Sequence, residues 1–210
     1  WNSTALWWNG FANAAWPASG LTNEAIFGGT AGTVTLDPAG LAANRLTFNT
    51  TGYLLQNGPL TLNGTTPGIF SATGVTAQIS SPISGSAGLT KSGPGALILS
   101  GANNYGNTAI QQGLLQLNNG GSLGSGNITL GTGAAGTIGT VGNLTLNTDA
   151  SVGALSVVSN TSDTTTPANI GQLIVSIGRT LTASGLNAGL ASSSAGSTRT
   201  ALGTGTANSG

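Results

Sequence analysis

The chain is poor in charge, and this shortage limits the classes of ligand it can bind. Its 210 residues include only four basic and four acidic side chains, so 4% of the chain is charged and the formal net charge is zero. An average soluble domain is about 25% charged. Nucleic acids and anionic membrane surfaces are bound through clustered Lys and Arg, so neither is an expected partner. Copies of a neutral chain repel each other little, which favours self-association.

Cysteine, histidine and methionine are absent. Without cysteine there is no disulfide and no thiolate metal site, so stability has to come from packing and backbone hydrogen bonds. Without cysteine and histidine, Ser-His-Asp and Cys-His catalysis and the usual zinc and haem sites are excluded. Because a translated chain normally begins with Met, the start at Trp1 predicts removal of a leader or excision from a longer polypeptide.

Long hydrophobic runs are also missing. No apolar run approaches the ~18 residues that a membrane-spanning helix needs, so we expect no such segment in this chain. Apolar residues alternate with polar ones instead, which predicts half-buried strands. The clearest examples are 32–37, 45–49, 59–63, 114–118, 127–131 and 143–147. We find no convincing amphipathic helix, and the longest candidate, 39–46, has too few apolar positions at helical spacing.

The strand units are similar to one another, and this similarity favours one architecture. Short strands separated by Gly, Asn and Ser could build a sandwich, an up-and-down barrel or a solenoid. Strands of a sandwich differ because each occupies its own environment, whereas a recurring unit is typical of stacked equivalent coils. Asn side chains at the corners of such coils can stack into hydrogen-bonded ladders. The sequence therefore predicts a β-solenoid.

One stretch, residues 88–126, resembles the autotransporter-associated β-strand repeat of bacterial passenger domains. Fourteen positions match the repeat in order: Gly88, Leu89, Lys91, Gly93, Gly95, Leu97, Leu99, Gly101, Asn103, Tyr105, Thr108, Gly113, Leu115 and Leu117. The turn NNYGNTAI is a residue shorter than in the usual repeat, which predicts a tighter corner. The resemblance implies an all-β fold, a right-handed parallel β-helix, export, and a secreted or bacterial cell-surface location. Such passengers are adhesins, enzymes or structural arms, so the repeat does not assign an activity.

Candidates for catalysis are few. Asp37, Asp149 and Asp163 each lie beside turn-forming residues, where a turn hydrogen bond accounts for them. We therefore predict no enzyme, no catalytic residue, no metal and no cofactor, and keep a polysaccharide-acting β-helix enzyme using Asp149 or Asp163 as an alternative. Gly131, Gly133 and Gly136 match a dinucleotide-binding spacing but no helix follows, so they are interpreted as turn glycines.

The only lysine and the aromatic residues complete the set of candidates. Lys91 is interpreted as a solvated turn lysine. All four tryptophans lie in the first twenty residues, and this segment is the candidate site for capping or assembly. Its aromatic members are Trp1, Trp7, Trp8, Phe11 and Trp16. They either cap the first coil of their own chain or insert into a neighbouring molecule, and a carbohydrate-stacking platform ranks below both.

Three regions follow from these observations. Residues 1–20 form the Trp-rich cap or assembly segment, 21–186 the solenoid body, and 187–210 a Gly/Ser/Thr-rich tail. The predicted function is structural: an extracellular solenoid that self-assembles head-to-tail into a surface fibre or forms a passenger-like arm. The first alternative is an adhesin that binds a glycan or a host protein, so a glycan or another surface protein is a possible partner besides the chain itself.

Overall fold

The computed structural model describes residues 7–8, 12–16, 22–118, 120–132, 141–158, 171–189 and 207–208. All regular secondary structure in these ranges is β-strand, which confirms the predicted all-β class. The described residues contain no helix long and apolar enough to cross a membrane. Two short strands, β1 (Trp7–Trp8) and β2 (Asn13–Ala14), pair antiparallel with each other before the main body.

The main body consists of three sheets, and the chain passes repeatedly from one sheet to the next. The first sheet contains β3 (Glu24–Phe27), β6 (Arg45–Phe48), β9 (Gly68–Ser71), β12 (Leu89–Ser92), β15 (Thr108–Ile110), β17 (Ile128–Leu130), β19 (Ala150–Val158), β21 (Thr180–Gly189) and β22 (Ala207–Asn208). The second contains β4 (Thr33–Leu36), β7 (Leu54–Asn57), β10 (Thr76–Ile79), β13 (Ala96–Leu99), β16 (Gly113–Leu117), β18 (Gly142–Leu146) and β20 (Leu173–Val175). The third contains β5 (Leu41–Ala43), β8 (Leu60–Leu62), β11 (Ile83–Gly85) and β14 (Asn104–Tyr105). Except for β21 with β22, neighbouring strands within these sheets are parallel, so the fold is the predicted parallel β-solenoid.

One circuit of the sheets forms a coil, and the coils change shape along the chain. Because Ile69 pairs with Lys91, the coil between them contains 22 residues. The first four coils have all three sheets, and the third sheet ends at β14. The next coil passes from the second sheet to the first through ten residues between Leu117 and Ile128, which contain no described strand. The last two such passages are short corners, between Leu146 and Ala150 and between Val175 and Thr180. The described solenoid therefore changes from three-sided to two-sided.

Alternation along each strand fills the core, because every second side chain points inward. Because neighbouring strands are in register, the inward residues of successive coils stack into aliphatic ladders. The ladder of the second sheet is Val34, Leu55, Ile79, Leu99, Leu117, Leu146 and Val175. An aromatic stack adds to the core of the first coils, with the Phe27 and Phe48 rings 4.6 Å apart and Tyr53 tilted against both.

The sequence predictions for individual segments have clear outcomes. All six predicted strand units contain a strand, but successive units lie on different sheets, so they are sides of a coil rather than whole coils. The segment 39–46 contains β5 and the start of β6. Right-handed winding remains a prediction, in line with the strong preference of parallel crossovers. The boundaries 1–20, 21–186 and 187–210 also remain predictions.

Candidate functional site

The described carboxylates serve a turn, a contact between two coils and a surface ion pair. Asp37 Oδ1 accepts a hydrogen bond from the Ala39 backbone N–H at 2.8 Å, and Asp149 Oδ1 accepts one from the Thr180 N–H at 2.8 Å. The predicted turn role is therefore confirmed for Asp37. The bond of Asp149 instead joins two successive coils, because Thr180 lies 31 residues later, beside it in the next coil. Asp163 lies outside the described residues. Among the residues that the structure covers, no group of three or more Asp, Glu, His or Cys side chains could hold a metal ion.

The aromatic segment is described only in part. Trp1 and Phe11 lie outside the described residues, and Trp7 and Trp8 form strand β1. Trp16 is half-buried and packs against the core, and its indole Nε1–H donates a hydrogen bond to the carbonyl of Ala42 at 2.8 Å. Ala42 belongs to β5, the outermost strand of the third sheet. Trp16 therefore contacts its own chain at the first coil.

Lys91 corrects one of the sequence interpretations. The expectation of a solvated turn lysine is wrong, because its side chain is 0% exposed and points inward between Ile69 and Ile110. Sequence reasoning missed this because a lysine in a half-buried strand usually faces solvent. The signal was in the alternation: Lys91 lies two residues after the inward Leu89, which places both on the same face of the strand.

The Lys91 ammonium is held by backbone carbonyls. Its Nζ donates to the carbonyl oxygens of Ser92 at 2.8 Å, Gly93 at 2.8 Å and Gln112 at 3.2 Å. Three acceptors match the three donors of an ammonium group. Ser92 is the last residue of a first-sheet strand and Gly93 follows it, whereas Gln112 precedes the second-sheet strand of the next coil. The ammonium therefore joins two coils at their corner. Burial lowers the pKa of Lys91 to about 8.

The Gly- and Asn-rich turn of the repeat is a structural corner, as predicted. Asn103 is buried, accepts a hydrogen bond from the Ile83 N–H at 2.9 Å, and donates to the Ser122 carbonyl at 2.7 Å. It thus connects the coil before it to the coil after it. Gly101 allows the close approach, because a Cβ there would lie 2.4 Å from the Ser81 carbonyl oxygen. Asn104 belongs to the last strand of the third sheet.

The outward surface of the second sheet is a continuous feature that neither the core nor the corners account for. We call it the second-sheet face. Its central row, in register across seven strands, is Thr33, Leu54, Gln78, Ile98, Gln116, Thr145 and Ile174. A side row contains Thr76, Ala96, Leu114 and Asn143. None of the seven strands contains Asp, Glu, Lys or Arg, so within these strands the face is uncharged.

A ladder of amides borders this face. Asn147 Nδ2 donates to Asn118 Oδ1 at 3.0 Å, and Ser176 Oγ donates to Asn147 Oδ1 at 2.6 Å. Gln116 Nε2 of the central row donates to the same Asn118 oxygen at 2.8 Å. The predicted stacking of Asn side chains at corners is thereby confirmed for these coils. The border is polar, and it holds Gln116 in place on the face.

The first sheet differs from the second in carrying charged side chains on the outward surface of its first two strands. The side chains of Glu24 and Arg45 lie opposite each other on adjacent strands, with Arg45 Nε 3.6 Å from Glu24 Oε1. The Arg45 guanidinium lies 6.0 Å from the centre of the Phe70 ring. Both charged side chains are more than two-fifths exposed, so the pair contributes little to stability.

The coils around Lys91 and Asn103 are also the part of the chain that matches a known family model. The family model of the passenger-associated transport repeat matches residues 89–117, the strands around Lys91 and Asn103. The chain carries an autotransporter passenger-like repeat. It is 41% identical over 131 residues to a protein named adhesin BmaC autotransporter, from Brucella suis biovar 1 (strain 1330). That alignment covers 60% of this chain and 4% of the relative, so the chain corresponds to a small part of the relative's length. No solved structure matches.

The repeat and the relative together support secretion to the bacterial cell surface, as the sequence resemblance implied.

Proposed function

We propose that this chain is a rigid arm at the bacterial surface that acts as part of an adhesin, by non-covalent binding and without catalysis. The observation that carries the proposal is its 41% identity, over 60% of its length, to a protein named an adhesin. The fold is suited to this role, because parallel strands pair through the length of the sheets and aliphatic ladders continue the core from coil to coil. Such a stack holds an outward face at a fixed orientation and extends it away from the cell.

The test is surface display. We expect a non-adherent bacterium that displays the full chain to attach to cultured cells or to their extracellular matrix at least several-fold more than the same bacterium displaying an unrelated soluble domain. Surface amounts are matched by antibody labelling. Attachment no greater than the control on both substrates would contradict the proposal.

Head-to-tail self-assembly into a fibre remains the second candidate. It is favoured by the zero net charge, which leaves little repulsion between copies. The hydrogen bond from Trp16 to Ala42 of the same chain instead favours a cap over an exchanged segment. Electron microscopy of the concentrated chain tests assembly: filaments that disappear when residues 1–20 are removed support it, and a stable monomer contradicts it.

A polysaccharide-acting enzyme is the least supported function, because Asp149 already accepts a hydrogen bond from the Thr180 N–H of the next coil. The enzyme hypothesis predicts hydrolysis that is lost in Asp149→Asn or Asp163→Asn.

A further inference from the structure

The second-sheet face has the size of a site for a slender ligand. Its central row crosses seven strands, so it extends over six inter-strand spacings of about 4.8 Å, or about 29 Å. Rows on one face of a strand are about 6.6 Å apart, so the side row, the central row and the bordering amides are together about 13 Å wide. The face therefore offers at most about 400 Å², because the side row crosses only four of the seven strands. A stable protein interface needs about 800 Å² from each partner, roughly twice as much.

The absence of charged side chains on the second-sheet face narrows the class of ligand further. Protein surfaces are about 25–35% charged, and a charged group pressed onto an uncharged face loses water without gaining a counter-charge. The second-sheet strands contain no charged residue with which to pair it. Nucleic acids, anionic polysaccharides and lipid headgroups are disfavoured for the same reason. A neutral ligand does not incur this cost.

The chemistry of the face fits hydroxyl groups above an apolar surface. Gln78, Gln116 and Asn143 carry amides, which both donate and accept hydrogen bonds, as a sugar hydroxyl can. Gln116 Nε2 already donates to Asn118 and Asn143 Oδ1 accepts from the Gln172 N–H at 3.1 Å, but an amide has two N–H donors and an oxygen with two lone pairs, so each keeps further hydrogen-bonding capacity. Between them lie the half-buried aliphatic side chains of Ile98 and Leu114, on which the C–H faces of sugar rings can pack. Because register is kept across the sheet, this combination of groups continues along the solenoid axis.

We infer that the second-sheet face binds a neutral polysaccharide chain lying along the solenoid axis. This inference rests on the proposed adhesin function and names the class of ligand for it. Binding involves no bond making or breaking. The ligand loses water from its hydroxyls, exchanges those hydrogen bonds for the amides and hydroxyls of the face, and covers the aliphatic side chains.

The experiment measures binding of the purified full chain to three neutral polysaccharides, laminarin, yeast mannan and dextran, and to the anionic heparin. We expect at least one neutral probe to bind and heparin not to bind. Because no ion pair forms, raising NaCl from about 50 to about 500 mM should change the affinity less than about twofold. Binding to none of the neutral probes, or binding to heparin that weakens with salt, would overturn the inference.

Paired variants locate the site. Ile98→Lys places a charge in the centre of the face, between Gln78 and Gln116, and we expect it to weaken binding at least tenfold. The matched control is Thr90→Lys, which changes a half-buried, β-branched, outward residue of the same coil but on the first sheet, and it should bind like the wild type. Gln78→Glu, which keeps the shape of the side chain, gives a second variant in case Ile98→Lys does not fold, as judged by circular dichroism. Equal binding by all folded variants would exclude this face.

The two proposals fail in different ways. If displayed cells attach while no neutral polysaccharide binds, the adhesin arm stands and the inference about its ligand falls. If a neutral polysaccharide binds the face while displayed cells do not attach, the ligand inference stands and the adhesin role falls.

Discussion

Raising the pH from 7 to 9 should stabilise this protein, which is unusual for a chain whose stability rests on packing. The cause is Lys91, whose pKa in the folded chain is about 8 against an ordinary value of 10.5. Between these values the unfolded chain binds more protons than the folded chain. Stability therefore rises with pH across this window, and is lost again as the pH falls through 8.

The expected size follows from the pKa. At pH 9, one unit above the folded-state value, the folded chain has largely released the proton while the unfolded chain keeps it. One pKa unit corresponds to about 1.4 kcal/mol, so the free energy of unfolding should increase by about 1 kcal/mol between pH 7 and pH 9. The chain contains no histidine and no cysteine. Apart from Lys91, only the α-amino group, with an ordinary pKa of about 7.7–8.0, titrates in this range.

The assay is urea unfolding at pH 7, 8 and 9, followed by circular dichroism, with Lys91→Met as the control. Met has a similar length and fits between Ile69 and Ile110, and the variant retains the α-amino group. Its baseline stability should be lower by about 1–3 kcal/mol, because the three carbonyls that bind the ammonium lose their donor. The discriminating quantity is the pH dependence, which should disappear in the variant.

Two results would refute this reasoning. A wild-type stability that is flat or falls between pH 7 and pH 9 would mean that the ammonium is not destabilised by its burial. An equal rise in Lys91→Met would assign the effect to another group.

Three further predictions concern a corner, a buried phenol and the first coil. Gly113→Ala should lower the free energy of unfolding by about 2 kcal/mol more than Gly74→Ala. Both glycines have positive φ, but of the two only Gly113 would place the new Cβ against a backbone carbonyl oxygen, at 2.3 Å. Equal losses in urea unfolding would contradict the close approach of the two coils at this corner. Burial raises the pKa of Tyr105, so the stability that the protonated phenol contributes is present below about pH 10 and is lost as the pH rises above that. Unfolding curves from about pH 9.5 to 11 should show this loss in the wild type and not in Tyr105→Phe. Trp16→Phe removes the donor to Ala42 and should cost about 1 kcal/mol without changing the sedimentation coefficient; a changed oligomeric state would indicate that the side chain serves assembly instead.

The architecture could be predicted because alternation and turn chemistry are local. Each strand unit indicates its inward side chains, and the glycines and asparagines indicate the corners, so a parallel solenoid followed from the repeat. The number of sides could not be predicted, because strands such as 45–48 and 60–62 have the same pattern although they lie on different sheets. Which strands stack depends on the lengths of the corners between them, and these lengths vary along the chain.

The candidate sites were harder to predict. Lys91 was misjudged because its carbonyl partners come partly from the next coil, at Gln112, which sequence spacing does not reveal. The second-sheet face was missed for a related reason. Its side chains come from separate strands, and only the register brings Gln78, Ile98 and Gln116 side by side. The aromatic segment was predicted to be a capping or assembly site because its residues lie close together in sequence. In the structure, Trp16 contacts the first coil of its own chain.

The central claim is that this chain acts through an uncharged outward face and holds its ligand without catalysis. The most direct test is attachment of bacteria that display the wild-type chain, Ile98→Lys or Thr90→Lys at equal surface density. We expect the wild type and Thr90→Lys to attach equally and Ile98→Lys to fall to the level of the non-displaying control. Equal attachment by all three would contradict the claim, since the face would then be irrelevant to adhesion.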